Sequence, residues 1–332
     1  MYPRCLSHCL MSISTFLPIV DICDNFRPSK SHDLVPFYLS LSKPADRLLV
    51  GLLKPEIVRL LKIYNEQCVT SGNVRPFVIE DTRVAFEHTV DSPEQRSAIM
   101  HALGLRWRDD GLFADVISGR LWRNELYAVR ASPFVYEPPA FTMERVVCAL
   151  FGVVTYGVHL SCYTPDYRIW VPRRAQTKQT WPGYLDNTVA GGIPAGMTPF
   201  DSIVKEAMEE ASLPKSFVQQ HIKAVGAVSY FFQTPKGWLQ PEVQYVYDLC
   251  IPEDANVLPK PHDDEVESFE LCTVDDVKQK MMAGLFKPNC ALVLLDFLIR
   301  HGLLTAEEEP NLLEITTRLH GRFEWDRFEL VD

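Results

Sequence analysis

The stretch that most constrains this chain runs from Gly191 to Leu213. Gly191 and Gly192 lead into Thr198-Pro199, and the next dozen residues carry neither Gly nor Pro. Thr198 has the hydroxyl to cap a helix, Pro199 fits its first position, and Asp201 stands three residues after the cap, much as in a capping box. On that helix Glu206, Glu209 and Glu210 fall at i, i+3 and i+4, so they project from one face about one turn apart. Ile203 and Ala207 fall on a different, apolar side. Like charges at this spacing cost roughly a few tenths of a kcal/mol on an exposed helix. A divalent cation among them turns that repulsion to use, and hard carboxylate oxygens suit Mg²⁺ or Mn²⁺. Such an ion polarises phosphoryl oxygens and lowers the pKa of water. The Gly191 carbonyl offers one more oxygen. Taken alone, the three glutamates read first as a solvated acidic face; the whole segment is more specific.

Charge bears on what else the chain can do. Lys and Arg total 33 against 43 Asp and Glu, a net charge of −10. That is a poor balance for non-specific nucleic-acid binding, which phosphate neutralisation dominates. If phosphates are handled, a metal ion or a local basic patch must do it. The nine cysteines are scattered without a C-x-x-C pair, which points to reduced thiols in an intracellular compartment. No apolar run approaches the roughly 18–20 residues of a membrane span. Residues 1–11 read as an extension before an alternative start at Met11, or as a presequence, since Arg4 has no acidic neighbour up to residue 20. A cytoplasmic location is expected, with a mitochondrial one as the weaker reading. The expected partner is a small-molecule diphosphate, with no nucleic acid and no membrane.

Two units are expected, separated by a linker at 132–139 marked by Ser132-Pro133 and Pro138-Pro139. The first, residues 12–135, reads as small α+β. It opens with a short helix or arm at 12–26, with strands expected at 49–53, 77–79, 84–86 and 121–129. Its helices start at Pro55, with Ile57, Leu60, Leu61 and Tyr64 at helical spacing, and at Pro93 behind the cap Ser92. The second unit, residues 140–304, has strands at 150–159, 167–171, 225–232, 243–251 and 266–271, and helices after Thr198 and at 274–282 and 291–301. Mixed strands with helices outside suggest an α/β/α sandwich. Residues 305–332 form a tail, acidic and then aromatic.

The segment 191–213 resembles the Nudix box, G-x5-E-x7-R-E-U-x-E-E-x-G-U, where U is bulky and aliphatic. Gly191, Glu206, Glu209, Glu210 and Leu213 fall on family positions. Met197 stands where the box has Glu, Lys205 replaces Arg, Ala207 replaces the aliphatic residue and Ser212 replaces Gly. The likeness extends to Leu150-Phe151-Gly152, to 155–160, to the run from Arg173 through Trp181-Pro182-Gly183 to Gly192, and to Phe286-Lys287-Pro288-Asn289-Cys290-Ala291. Those segments look like the Nudix branch related to the Nudix half of fungal thiamine pyrophosphokinase. That branch also carries a small N-terminal domain.

The resemblance implies a Nudix α/β/α sandwich with a mixed sheet, preceded by a small α+β N-terminal domain. It implies a Mg²⁺- or Mn²⁺-dependent pyrophosphohydrolase that cleaves oxo or oxy forms of thiamine diphosphate to the monophosphate and phosphate. The metal would be held by Glu206, Glu209 and Glu210 with the Gly191 carbonyl. Glu209, Glu210 and Glu265 are the candidates for moving the proton of the attacking water. Arg173, Arg174 and Lys178 are candidates for holding the diphosphate, Trp181, Tyr184 and Trp238 for stacking on a ring, and Asp186 and Asn187 for polar recognition. A solvated basic loop, ordinary packing and a structural turn are the competing readings of these three groups. Two functional alternatives stand beside the thiamine reading. One is a generic Nudix hydrolase of nucleoside-diphosphate derivatives such as ADP-ribose, NADH or dinucleotides; the other is a binding module with a decayed box. Isopentenyl diphosphate isomerase has a similar entry segment but needs a reactive Cys after its Asn-Thr, where this chain has Val189-Ala190.

Overall fold

A computed structural model describes residues 15–42, 48–119, 121–252, 254–262 and 264–328. Residues 1–11, including the alternative start, lie outside the described residues.

The first unit contains β1 (Val35–Tyr38), β2 (Leu49–Leu53), α2 (Pro55–Thr70), β3 (Phe77–Ile79), β4 (Val84–Phe86), α3 (Pro93–Asp109), α4 (Ala114–Ile117), β5 (Leu126–Val129) and β6 (Phe141–Glu144). Helix α1 (Leu17–Cys23) precedes them. Strands β1 to β4 form a mixed sheet in the order β2-β1-β4-β3, and β5 pairs with β6. Its core is aromatic, with Phe37, Phe77, Phe86, Phe141 and Phe151 fully buried. Ser92 caps α3 through a full capping box with Gln95, as its sequence requires.

The second unit comprises α5 (Cys148–Phe151), β7 (Thr155–Tyr163), β8 (Ile169–Arg174), β9 (Val189–Gly192), α6 (Pro199–Ala211), α7 (Lys215–His221), β10 (Lys223–Gln233), β11 (Leu239–Cys250), β12 (Val266–Cys272), α8 (Val274–Met282) and α9 (Pro288–Arg300). Helix α10 (Leu312–Leu319) follows. The sheet order is β10-β11-β7-β8-β12, with β9 added beside β7. Strands β7 and β11 run parallel and the other pairs antiparallel. On one face Val158, Leu160 and Val189 pack with Ile203, Ala207 and Leu213 of the α6 region. On the other, Val171, Val228 and Val246 pack with Leu292, Leu295 and Phe297 of α9. This is the expected α/β/α sandwich with a mixed sheet.

Four expectations are corrected in detail. Residues 150–159 are not one strand: α5 ends at Gly152, which takes the left-handed φ of 54° that favours glycine, and β7 begins at Thr155. The strand expected over 121–129 is confined to β5. Of the segment expected as an arm of the first unit, α1 lays Val20 and Cys23 on the α9 face of the large sheet, while Phe26 clusters with Tyr38 and Leu52 of the first unit. The tail is also not separate. Ile315 and Leu319 join that same core, the Glu309 carboxylate accepts from Thr15 Oγ1 and the Phe16 amide, both at 2.6 Å, and Trp325 donates to the Leu49 carbonyl at 3.2 Å. Among the described residues no helix is long and apolar enough to cross a membrane.

Candidate active site

Helix α6 forms as its sequence dictates. Thr198 Oγ1 accepts from the Asp201 amide at 3.0 Å, Pro199 fills the first turn, and Ile203 and Ala207 are fully buried. The helix ends at Ser212, which holds a left-handed φ of 53° where a glycine would sit without strain. The opposite face brings Glu206 and Glu210 to β9, while Glu209 stays exposed beside Lys205. The Ala190 amide donates to Glu210 Oε2 at 3.1 Å. Glu206 lies over Gly191: a Cβ on that glycine would come 2.6 Å from the Glu206 carboxyl carbon.

The electrostatics are those of crowded anions. Burial raises the pKa of Glu206, and the Glu209 and Glu265 charges add to it against the pull of Lys205. Burial pushes Glu210 well up, reinforced by Asp186 and Glu206 and opposed by the Ala190 amide and Lys178. The nearby ammonium groups partly neutralise them. Lys205 Nζ stands 2.7 Å from Glu209 and 3.5 Å from Glu206, and Lys178 pairs with Glu265. Among the described residues no three His, Cys, Asp or Glu side chains are gathered tightly enough, as they stand, to hold a metal ion. The donor set nonetheless fits a hard divalent cation. All its oxygens are carboxylate or carbonyl, burial and neighbouring anions raise the pKa of Glu206 and Glu210, and Gly191 leaves the space that Glu206 needs.

The basic and polar run before β9 takes roles that its sequence did not separate. Arg174 is buried and directs Nη1 to Asp186 at 2.6 Å, Nη2 to the Thr180 carbonyl at 3.0 Å and Nε to the Trp181 carbonyl at 3.1 Å. It braces the loop. Arg173 is exposed and donates to the Gly183 carbonyl at 2.8 Å. Asp186 Oδ1 accepts from Cys290 Sγ and the Asn187 amide. Burial alone would raise the Asp186 pKa, but Lys287, Arg174, the Cys290 hydrogen bond and His159 hold it below the usual range. Asn187 Oδ1 meets His159 Nδ1 at 2.6 Å, and its amide donates to the Cys290 carbonyl. Asp186 and Asn187 are therefore buried structural partners. Trp238 is buried in the first unit, donating to Asp115.

Beside this cluster opens a cleft of about 650 Å³, reaching to the seam between the two units. The first unit contributes Tyr127 and Arg145, and the second contributes Ala190 to Gly192, Trp181, Glu242, Lys287 and Asn289. Tyr127 enters so far that a Cβ on Gly192 would lie 1.7 Å from its hydroxyl oxygen. Trp181 reaches the cleft from a backbone at φ 53°, an unfavourable position for a bulky side chain, and packs edge-on against Tyr184 with ring centroids 5.0 Å apart. Sequence reasoning singled out Trp181 but missed Tyr127, Arg145, Glu242 and Lys287. The available signal was the row of polar residues Gln240, Glu242, Gln244 and Asp248 at alternate positions on one face of β11.

Comparison with known proteins decides the family. Residues 155–289 match the NUDIX domain, and residues 15–155 match a domain of unknown function, DUF4743. The chain is 32% identical over 314 residues to the chloroplastic Nudix hydrolase 20 of Arabidopsis thaliana, covering 93% of this chain and 79% of that protein. This chain belongs to the Nudix hydrolase family. The chloroplastic Nudix hydrolase 24 of the same plant is 31% identical, over 93% of this chain and 78% of that one. A Saccharomyces cerevisiae protein, YJR142W, is 46% identical over 216 residues, which cover 60% of this chain and 61% of that protein. The match thus spans about three fifths of the yeast protein's length. In Nudix terms α6 is the box helix, and the DUF4743 unit supplies a wall of the cleft beside it.

Proposed function

We propose that this Nudix protein hydrolyses the diphosphate of a thiamine-type ester, the oxo or oxy forms of thiamine diphosphate, to the monophosphate and inorganic phosphate. The observation that carries the reading is the pairing of a carboxylate cluster with an aromatic-walled cleft along the same short strand, β9. The likeness of 150–160, 173–192 and 286–291 to the thiamine pyrophosphokinase-related branch supports the choice of ring.

Glu206, Glu209 and Glu210, with the Gly191 carbonyl, would hold Mg²⁺ or Mn²⁺. When bound, the ion polarises the phosphoryl oxygens and makes water more acidic. Glu209, Glu210 or Glu265 takes a proton from the attacking water. The water oxygen bonds to phosphorus, the bridging P–O bond breaks, and the leaving oxygen departs on the monophosphate or the free phosphate. Arg173 and Lys178 offset charge on the phosphate farther from the carboxylates. Arg174 keeps the loop that carries them in place. Trp181 and Tyr184 pack against the ring.

The test compares kcat/KM with Mg²⁺ for oxo-thiamine diphosphate, thiamine diphosphate, ADP-ribose and NADH. A preference for the oxo compound is expected. A clear preference for ADP-ribose or NADH overturns the thiamine reading in favour of a nucleoside-diphosphate derivative, and no turnover of any of them points to a binding module.

A further inference from the structure

We propose that the seam cleft is a two-pole site, in which Glu242 holds a cationic or amino-bearing heterocycle and Lys287, with Asn289, holds the phosphate end of the same molecule. The proposal rests on the cleft being the substrate site, and it assigns the charge pattern that the substrate must carry.

Glu242 sits on β11 directly across from Tyr230 of β10. Tyr230 Oη donates to Glu242 Oε2. Gln244, two residues along the same strand face, donates Nε2 to that same oxygen at 2.8 Å and lies 3.0 Å from the Tyr230 hydroxyl. Gln244 is itself buried. One carboxylate oxygen is thereby pinned by two donors. Among the described residues the other oxygen, Oε1, has no hydrogen-bond or ion-pair partner. Glu242 also occupies a central place: its charge acts on Cys23, Tyr127, Arg145, Tyr230 and Lys287, all of which line the cleft. A half-buried carboxylate fixed on one side and open on the other is arranged to receive a charged or N–H donor.

Lys287 forms the opposite pole. It is the N-cap of α9 and lines the cleft, and among the described residues its ammonium has no carboxylate or acceptor in bonding range. Asn289 beside it leaves its side-chain NH₂ unused. Both stand at the start of a 13-residue helix, whose dipole favours an anion there. Lys287 and Glu242 form no salt bridge with each other among the described residues; the Lys287 charge acts on Asp186 without bonding it. Tyr127, Tyr156 and Trp181 also line the cleft; Arg145 lies over the Tyr127 ring and Arg130 over the Tyr156 ring, so Trp181 is the ring offered to a flat cation. A neutral ring without a donor would leave Glu242 Oε1 unpaired, and that penalty gives discrimination beyond ring packing.

Equilibrium titration calorimetry of the full chain, free of divalent metal, tests the two poles separately. Thiamine is the cationic amino-heterocycle probe and inorganic pyrophosphate the anionic one. Glu242→Gln should weaken thiamine binding at least about tenfold while leaving pyrophosphate binding unchanged or tighter. Lys287→Met should weaken pyrophosphate binding by a similar factor and leave thiamine binding no weaker. Glu242→Asp, which keeps the charge, should retain part of the thiamine affinity that Gln loses, a rescue that a purely structural role would not give. Equal thiamine affinity in the wild type and Glu242→Gln, or no thiamine binding by the wild type at millimolar concentration, overturns the proposal. Should the binding pattern hold while no thiamine-type diphosphate is turned over, the substrate named under Proposed function fails and the two-pole site stands.

Discussion

Gly191 and Glu206 are in direct contact, with the glycine Cα beneath the carboxylate and no room for even one methyl group: a Cβ there would approach the carboxyl carbon to 2.6 Å and Cγ to 2.7 Å. The glycine is therefore needed for space. Gly191→Ala should push the Glu206 carboxylate away from β9 while sparing the core, since the clash is with a side chain near the surface. The expected loss is about 10–100-fold in Mn²⁺ affinity, the usual effect of disturbing the groups that orient a metal ligand. Mn²⁺ titration alongside a thermal melt checks it, and unchanged affinity would remove Glu206 from the metal site.

Glu206→Gln and Glu210→Gln address the same cluster from the charge side. Each should abolish most turnover with the fold retained. Each should also stabilise the metal-free protein, on the order of 1 kcal/mol, because burial and mutual repulsion already oppose the native charges. Denaturant melts in EDTA read the stability, and steady-state rates with Mg²⁺ read the activity. Near-normal rates in both variants would show that the catalytic carboxylates lie elsewhere.

The box helix was legible in the sequence because every local signal agreed: a Thr-Pro start, an acidic first turn, an apolar side at Ile203 and Ala207, and glutamates one turn apart. The sandwich strands other than β9 were legible, with β7 displaced by about one helical turn; β9, Val189–Gly192, was not, because Ala-Gly-Gly carries no strand signal. The cleft was not. Tyr127 and Glu242 are 115 positions apart in the chain, and only the docking of the first unit on β9 brings them to one cavity. Arg174 and Arg173 are chemically alike and adjacent, yet alternation along β8 buries one among carbonyls and exposes the other. The packing of α1 on α9 was equally unreadable, because an apolar helix face does not say which sheet it will cover.

The seam between the units rests on another glycine. The Tyr127 hydroxyl fills the place a Cβ would take on Gly192, at 1.7 Å, with the ring carbon Cζ at 2.8 Å. Gly192→Ala must move the tyrosine or open the seam, and overpacking of this kind costs about 1–3 kcal/mol. In a Tyr127→Ala background the same substitution should cost almost nothing. A double-mutant cycle on unfolding free energies measures the coupling. Additive effects would mean that Tyr127 does not occupy the space over Gly192 in solution.

The last expectation concerns pH. His159 is buried on β7, and burial holds its pKa down at about 4, below the ordinary 6.5 of an imidazole, helped by Lys287 and opposed by Asp186, Asn187 and Gln244. Above pH 6.5 the imidazole is neutral in both folded and unfolded chains, so it adds no pH dependence. As pH falls from 6.5 towards 4, the unfolded chain takes up a proton that the native protein refuses, and stability drops. The loss reaches about 2 kcal/mol at pH 5 and on the order of 3 kcal/mol near pH 4. His159→Asn keeps a donor near the Nδ1 position for Asn187 but cannot titrate, so between pH 7 and pH 5 it should lose about 2 kcal/mol less stability than the wild type. Urea unfolding at the two pH values in both proteins measures the difference. If the wild type and His159→Asn lose the same stability over that interval, a group other than His159 governs the acid side of the profile.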